Sequence, residues 1–230
     1  MTTTLKQRWD ATVADVADIC RACGRDPREV RIIAVSKTVE PPVVAQAIEA
    51  GALDFGENRT QPFNEKFALY PQARWHLIGQ LQSRKAKEVV GKACLIHSLD
   101  RSSLLQAVQK EAAKQGCVQE VLVEVSVSGE ESKGGIAPAA LPALLEEACG
   151  CPNVLVRGLM TMAPAGDLDE ARRVFEGLRN VKEAMQAAFG KRDTIMLDEL
   201  SMGMSQDYAQ AIAEGATMVR IGRRIFSAEF

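Results

Sequence analysis

The sequence predicts an α/β fold, a closed TIM-type (β/α)8 barrel. Short, continuously apolar runs recur along the 230 residues, and helical segments with turn residues at their ends separate them. Runs that are apolar on both faces are typical of parallel strands covered by helices on each side of the sheet. Eight strand–helix units fit a chain of this length and leave little room for anything else. We therefore expect one domain over residues 1–230.

The first element is a helix over 4–23, in which Trp9, Val13, Val16 and Cys20 form one stripe at three- and four-residue spacing. Eight strands are predicted after this helix. They lie at 31–35, 52–55, 75–78, 94–97, 121–125, 154–158, 195–202 and 218–221.

Turn residues mark the helices between the strands. Pro41 and Pro42 begin a helix that stops at Gly51, in the order that helix ends favour. Further helices are predicted at 101–115, 139–148 and 169–189. An open, doubly wound sheet is the alternative fold, although no G-x-G-x-x-G motif follows the first strand.

Charge and hydropathy exclude two classes of partner. Lys and Arg together number 28 and Asp and Glu 30, so the net charge is −2, whereas a nucleic-acid binder usually has a basic surplus. No apolar run approaches the roughly 20 residues that a membrane helix needs. The first ten residues also lack the apolar core of a secretory signal. We expect a cytoplasmic protein without nucleic-acid or membrane partners.

The six cysteines do not indicate a metal site. Cys20 and Cys23 form a single C-x-x-C, Cys149 and Cys151 form a C-x-C, and the chain has only two histidines. A structural zinc site would need a second correctly spaced pair or closely spaced histidines. We expect reduced thiols that pack as small apolar groups, and no metal.

The residues that follow the strands indicate where ligands bind, because barrels of this kind hold ligands at the carboxyl ends of their strands. Lys37 follows the first strand. One interpretation is a side chain that extends to solvent at the rim. The other is an amine nucleophile for a Schiff base, since a desolvated lysine is well suited to that chemistry.

Three further loops at this rim carry polar residues. Asn58 follows the second strand in the motif FGEN and could bind a ligand ring. The motif LSMGMS at 200–205 leads into the helix that carries Tyr208, and VRIG at 219–222 makes a second glycine turn. The loops after strands seven and eight commonly bind phosphate in barrels. Together these features suggest a phosphorylated aldehyde held as an imine on Lys37.

The same motifs make the family recognisable. The chain resembles the pyridoxal phosphate homeostasis protein family, whose barrel is similar to the N-terminal domain of alanine racemase. The matching segments run from the first strand to the eighth: AVSKT at 34–38, FGEN at 55–58, WHLIGQLQS at 75–83, HSLD at 97–100, SGEESKG at 128–134, GLMTMAP at 158–164, LSMGMSQD at 200–207 and VRIG at 219–222.

This resemblance implies a fold-type-III barrel that binds pyridoxal 5′-phosphate (PLP) as its cofactor. It implies a Schiff base between PLP and Lys37, with Arg220 facing the pyridine nitrogen. Four residues would hold the phosphate, partly through backbone N–H groups: Ser201, Ser205, Gly222 and Arg223. Residues 130–133 (EESK) are interpreted as a solvated loop that could act as a lid.

The function that we favour is a carrier that limits free PLP and delivers it to PLP-dependent apo-enzymes. We expect a monomer, no substantial turnover and no catalytic residue. The alternative is an amino-acid racemase, which needs a base on each face of the substrate. The related racemases take their second base from an additional C-terminal domain, and we expect no such domain here because the sequence ends at Phe230. The candidates for a second base are Tyr70 and Tyr208. A Schiff-base aldolase without PLP is a third, weaker interpretation.

Overall fold

The computed structural model describes residues 3–128 and 134–227. Its eight strands are parallel and pair in chain order, and the last strand pairs with the first to close a barrel. The predicted (β/α)8 fold is therefore confirmed. The strands are β1 (Arg31–Val35), β2 (Asp54–Glu57), β3 (Arg74–Leu77), β4 (Leu95–Leu99), β5 (Gln119–Glu124), β6 (Val154–Met160), β7 (Ile195–Met204) and β8 (Met218–Ile221).

Helices separate the strands and cover the outside of the barrel. They are α1 (Leu5–Ala22), α2 (Pro41–Glu49), α3 (Thr60–Leu69), α4 (Ala86–Val89), α5 (Ser102–Gln115), α6 (Leu141–Cys149), α7 (Leu168–Phe189), α8 (Tyr208–Ala213) and α9 (Arg223–Phe226). None of the helices within the described ranges is long and apolar enough to cross a membrane. The lid predicted at 130–133 lies outside the described residues.

Most predicted elements lie at or close to their observed positions, with one strand displaced. β1 and β8 have the predicted bounds, whereas β2 begins and ends two residues later than predicted. The displacement arises because Gly56 and the charged Glu57 continue the strand and are buried. Helix α3 was not predicted, although Pro62 lies in its first turn, where proline is tolerated.

The apolar core has two layers. The larger layer lies between the sheet and the helices and includes the rings of Phe55 and Trp75, whose centroids are 5.3 Å apart. A smaller cluster contains one residue from each of five strands, so it fills the inside of the barrel: Ile33, Leu95, Leu122, Met160 and Met218. The inner apolar layer is thin, and the polar groups described below occupy the rest of the interior.

A buried ion pair joins the ends of β1 and β2 to helix α3. Nζ of Lys66 donates to Oε1 of Glu57 and to the backbone oxygen of Ser36, both at 2.7 Å. The Ser36 hydroxyl donates to the same carboxylate oxygen at 2.6 Å. The side chains of Lys66 and Glu57 are only 6% and 0% exposed. Because Ser36 precedes Lys37, and Glu57 precedes Asn58, this cluster fixes the starting points of two candidate site residues.

We expect Lys66→Met to lower the free energy of unfolding by about 3–5 kcal/mol, because it leaves the buried Glu57 carboxylate without its partner. Adding Glu57→Gln should restore part of that loss, since the uncompensated charge is then gone. Urea denaturation measures both effects. Lys110→Met, on the exposed face of α5, is the matched control. A single Lys66→Met variant as stable as the control would contradict this account.

Candidate functional site

A cavity of about 1010 Å³ opens at the carboxyl ends of the strands. This volume is at the upper end of the range of about 300–1,000 Å³ that small-molecule sites occupy. The walls come from the loops after β1, β2, β3, β6, β7 and β8, together with the end of β5. The cavity is thus at the end of the barrel where the sequence predicted a ligand.

Lys37 and Asn58 both line this cavity, as expected. Lys37 lies in the turn directly after β1, and its side chain is exposed to the cavity. Without a ligand, this exposure agrees with the interpretation of a side chain that extends to solvent at the rim. The amine is accessible at the rim, and a bound ligand would have to supply the desolvation.

Arg220 is a buried cation on a strand of the barrel. It lies on β8, is 4% exposed and lines the floor of the cavity. Nη1 donates to Oγ of Ser201 at 2.7 Å, and Nη2 donates to the backbone oxygen of Thr161 at 2.9 Å. Burial lowers the pKa of Arg220 to about 10, although the nearby carboxylates of Asp207 and Glu124 act in the opposite direction. The guanidinium therefore stays charged at neutral pH.

A chain of hydrogen bonds, which we call the interior chain, runs from Arg220 across the barrel to Asp54. After the Arg220–Ser201 bond, Oγ of Ser201 lies 3.0 Å from Nδ1 of His97. Nε2 of His97 lies 3.0 Å from Nδ1 of His76, and Nε2 of His76 lies 3.0 Å from Oδ1 of Asp54. The interior chain thus contains both histidines of the sequence.

The two ends of the interior chain fix its direction. The Arg220 guanidinium only donates hydrogen bonds, and the ionised Asp54 carboxylate only accepts them. A neutral imidazole has one donor and one acceptor nitrogen. His76 must therefore donate from Nε2 to Asp54 and accept at Nδ1 from Nε2 of His97. His97 in turn accepts at Nδ1 from the Ser201 hydroxyl.

The electrostatics of the chain agree with this direction. Burial lowers the pKa of His76. Burial lowers the pKa of His97 well below its usual range, and repulsion from Arg220 and from any proton added to His76 acts in the same direction. Burial raises the pKa of Asp54, but hydrogen bonds from His76 and Arg74 outweigh burial and hold it below its usual range. Two neutral histidines therefore connect one carboxylate to one guanidinium.

Two loops form the part of the cavity where the sequence predicted a phosphate cup. Ser205, Gly222 and Arg223 line the cavity there, and the Gly222 N–H donates to Oγ of Ser205 at 3.3 Å. A Cβ atom at position 222 would come within 3.1 Å of the backbone oxygen of Val35, so a larger residue would crowd this wall. The structure brings these three predicted residues together.

Ser201 is the predicted site residue that the structure places elsewhere. It is fully buried on β7 and does not line the cavity. Its hydroxyl is engaged by Arg220 and His97. Since side chains of a strand alternate between two faces, Ser201 points into the barrel interior below the cavity.

Sequence reasoning missed Glu124 and Asp207, which both line the cavity. Glu124 is the last residue of β5 and lies within the strand predicted at 121–125. Burial and the nearby Asp100 raise the pKa of Glu124 to about 7, against the opposing effect of Arg220. Oδ1 of Asp207 accepts a hydrogen bond from the backbone N–H of Met204 at 2.5 Å.

Neither tyrosine lies at the cavity wall. The Tyr208 hydroxyl donates to Oδ2 of Asp15 on α1, and burial together with this hydrogen bond raises the pKa of Tyr208. The Tyr70 hydroxyl donates to the backbone oxygen of Pro41 at 2.9 Å. Both phenols are thus committed to structural contacts.

The sequence predicts no metal site. In the described part of the chain, no group of three or more His, Cys, Asp or Glu side chains is arranged to hold a metal ion. All six cysteines are free thiols. Burial raises the pKa of Cys20 and of Cys151, so these thiols stay protonated at neutral pH.

One known protein family matches this chain almost from end to end. The family model described as "Alanine racemase, N-terminal domain" matches residues 10–229. The chain belongs to the alanine racemase N-terminal domain family. The predicted family relationship is therefore confirmed.

Individual relatives are similar over the same extent. A pyridoxal phosphate homeostasis protein of Aquifex aeolicus is 40% identical over 223 residues, which are 96% of each chain. PipY of Synechococcus elongatus, whose structure was solved with PLP bound, is 34% identical with a TM-score of 0.81, covering 92% of this chain and all of that one. A solved structure of an unknown protein from Bifidobacterium adolescentis is 32% identical with a TM-score of 0.89, covering 96% of this chain and 94% of that one.

The interior chain leads to a spectroscopic expectation. We expect both imidazoles to stay neutral and protonated on Nε2 from pH 7.5 down to pH 6, because burial disfavours a second proton on each ring and the Arg220 charge adds to this effect at His97. Two-bond ¹H–¹⁵N correlation spectra distinguish the two tautomers and the imidazolium ion. In 8 M urea both rings should titrate near the ordinary pKa of about 6.5. An imidazolium pattern in the folded protein at pH 6 would contradict the direction assigned here.

Proposed function

We propose that this protein holds PLP as a Schiff base on Lys37 and serves PLP homeostasis without substantial turnover of amino acids. The observation that supports the proposal is that three functional groups meet in one cavity. An accessible amine at Lys37, a buried guanidinium at Arg220 and the Ser205–Gly222 wall all line it. An aldehyde, a pyridine nitrogen and a phosphate are the three groups that such a cavity suits.

The residues of the cavity fit PLP by their chemistry. Lys37 would attach the aldehyde through Nζ, with loss of one water. Ser205, Gly222 and Arg223 would hold the phosphate, since hydroxyl, backbone N–H and guanidinium groups all donate to a dianion. When bound, PLP supplies an electrophilic aldehyde and an electron-withdrawing ring.

With Arg220 facing the pyridine nitrogen, bound PLP would be a weaker electron sink than with an acidic partner there. PLP enzymes that rely on the ring as an electron sink usually keep its nitrogen protonated through an acidic partner. A guanidinium only donates, so it favours an unprotonated nitrogen. Its contacts with Ser201 and with the Thr161 carbonyl hold it in place. We infer that Ser201 positions Arg220 and does not contact the phosphate, which revises the role predicted for it.

The positions of the tyrosines argue against the racemase alternative. Racemisation needs a second base on the opposite face of the substrate from Lys37. Tyr208 and Tyr70 are bonded to Asp15 and to the Pro41 carbonyl, away from the cavity. The names of the relatives, pyridoxal phosphate homeostasis protein and a PLP-bound PipY, support a carrier. Delivery to PLP-dependent apo-enzymes, a monomeric state and a cytoplasmic location remain parts of the proposal.

We expect borohydride reduction of the PLP-loaded protein to place the pyridoxyl group on the peptide that contains Lys37, because among the described residues Lys37 is the lysine that lines the cavity. Peptide mass mapping identifies the site. Lys37→Ala should lose the visible absorbance of the bound cofactor. A stoichiometric adduct on another lysine, with the Lys37→Ala spectrum unchanged, would refute the assignment.

We also expect no amino-acid turnover at ordinary enzyme rates, which begin at about 1 s⁻¹. The physical reason is that Arg220 weakens the ring as an electron sink and no second base lies at the cavity among the tyrosines. Deuterium incorporation and chiral analysis of alanine and serine incubated with the loaded protein measure this. Rapid exchange that disappears in Lys37→Ala would favour the racemase.

A further inference from the structure

Glu124 is a buried carboxyl group that the fold leaves partly without hydrogen bonds. It ends β5, is 2% exposed and lines the cavity, and β5 lies across the barrel from β1 and Lys37. Oε2 of Glu124 is buried and has no hydrogen-bond partner within the described residues. A buried polar atom without a partner destabilises a protein, so one that faces a cavity indicates a group that bonds to a ligand.

Charged groups approach Glu124 from several elements. Asp100, after β4, raises the proton affinity of Glu124, and Arg220, on β8, lowers it. Lys37 and Asp207 line the same cavity from the loops after β1 and β7. The neighbouring strand β6 (Val154–Met160) has one titratable residue, Arg157, which pairs with Glu120 at the other end of β5. In the loop after β5, Gly134 lies near the carboxyl group of Glu124. Residues 129–133 of that loop are outside the described ranges.

We propose that Glu124 is a cofactor-binding residue that becomes protonated when PLP binds, so that binding takes up one proton at this carboxyl group. The proposal rests on the function proposed above. It adds a residue that neither the sequence motifs nor the predicted site contained, and it makes the affinity for PLP depend on pH.

Two physical effects act in the same direction. PLP carries a phosphate dianion, and a second anion in a poorly solvated cavity disfavours an ionised carboxyl group. The ring of PLP also offers mainly acceptor atoms, to which a protonated carboxyl can donate and a carboxylate cannot. The proton is available near neutral pH, because burial and Asp100 already raise the pKa of Glu124 to about 7 in the free protein.

The test compares the wild-type protein with Glu124→Gln, whose amide has the shape of the protonated acid and always donates. A pH-stat in weakly buffered solution measures protons taken up as PLP is added. At pH 8 the wild type should take up about 0.9 proton per PLP more than Glu124→Gln, and at pH 6 only about 0.1 more. The ratio of the wild-type Kd to the Kd of the variant should be about tenfold higher at pH 8 than at pH 6. Taking the difference removes the contributions of Lys37 and of PLP itself.

Glu120→Gln is the matched control, because Glu120 lies on the same strand at the opposite end of the barrel, paired with Arg157. It should take up protons like the wild type. Equal proton uptake by the wild type and Glu124→Gln would overturn the role of Glu124. A wild type that binds no PLP would instead overturn the proposed function.

Infrared difference spectra of the wild type provide a measurement that needs no variant. Adding PLP at pH 8 should produce the C=O band of a protonated carboxyl group, with loss of carboxylate absorption. Binding without that band would overturn the proposal even if Glu124→Gln failed to fold.

Discussion

The candidate site depends on keeping one arginine charged inside a barrel of parallel strands. A guanidinium removed from water is unfavourable unless its N–H groups find acceptors. Nη1 and Nη2 of Arg220 donate hydrogen bonds to the Ser201 hydroxyl and to the Thr161 carbonyl. The interior chain extends this support to Asp54 at the far end of the barrel, where Arg74 stabilises the carboxylate. The position and orientation of Arg220 are therefore a property of the whole barrel interior.

Much of the fold could be predicted from the sequence, because parallel strands that are buried on both faces are plainly apolar. The displaced strand shows the limit of that signal. Glu57 continues β2 because it pairs with Lys66, and Lys66 lies on α3, which was not predicted. A charged residue in a strand and a charged residue in a helix are each interpreted as exposed when considered alone. Their pairing is a tertiary contact that neither local pattern contains.

The candidate site was predictable in its membership and less so in its geometry. Lys37, Asn58, Ser205, Gly222 and Arg223 line the cavity because each follows a strand that the sequence marks clearly. Ser201 belongs to the same motif as Ser205, but it lies within β7 and faces the interior. The irregular pairing of β7 with β8 between Ser201 and Met204, which separates the two serines, is not encoded in the spacing of the motif. Glu124 was not predicted as a site residue, because a glutamate at the end of an apolar run is typical of an ordinary strand terminus.

The single direction of the interior chain has a consequence for how such a sequence can change over time. Each group between the two ends accepts from one neighbour and donates to the other, so a replacement that lacks either role leaves a neighbour without its hydrogen-bond partner. For example, replacing His76 with an acceptor-only group would place two acceptors against each other at Asp54, although the His97 N–H would still find an acceptor. The members of the chain can be exchanged only as a set. Among homologues, these positions should therefore be inherited together, even though they span 167 positions of sequence from Asp54 to Arg220.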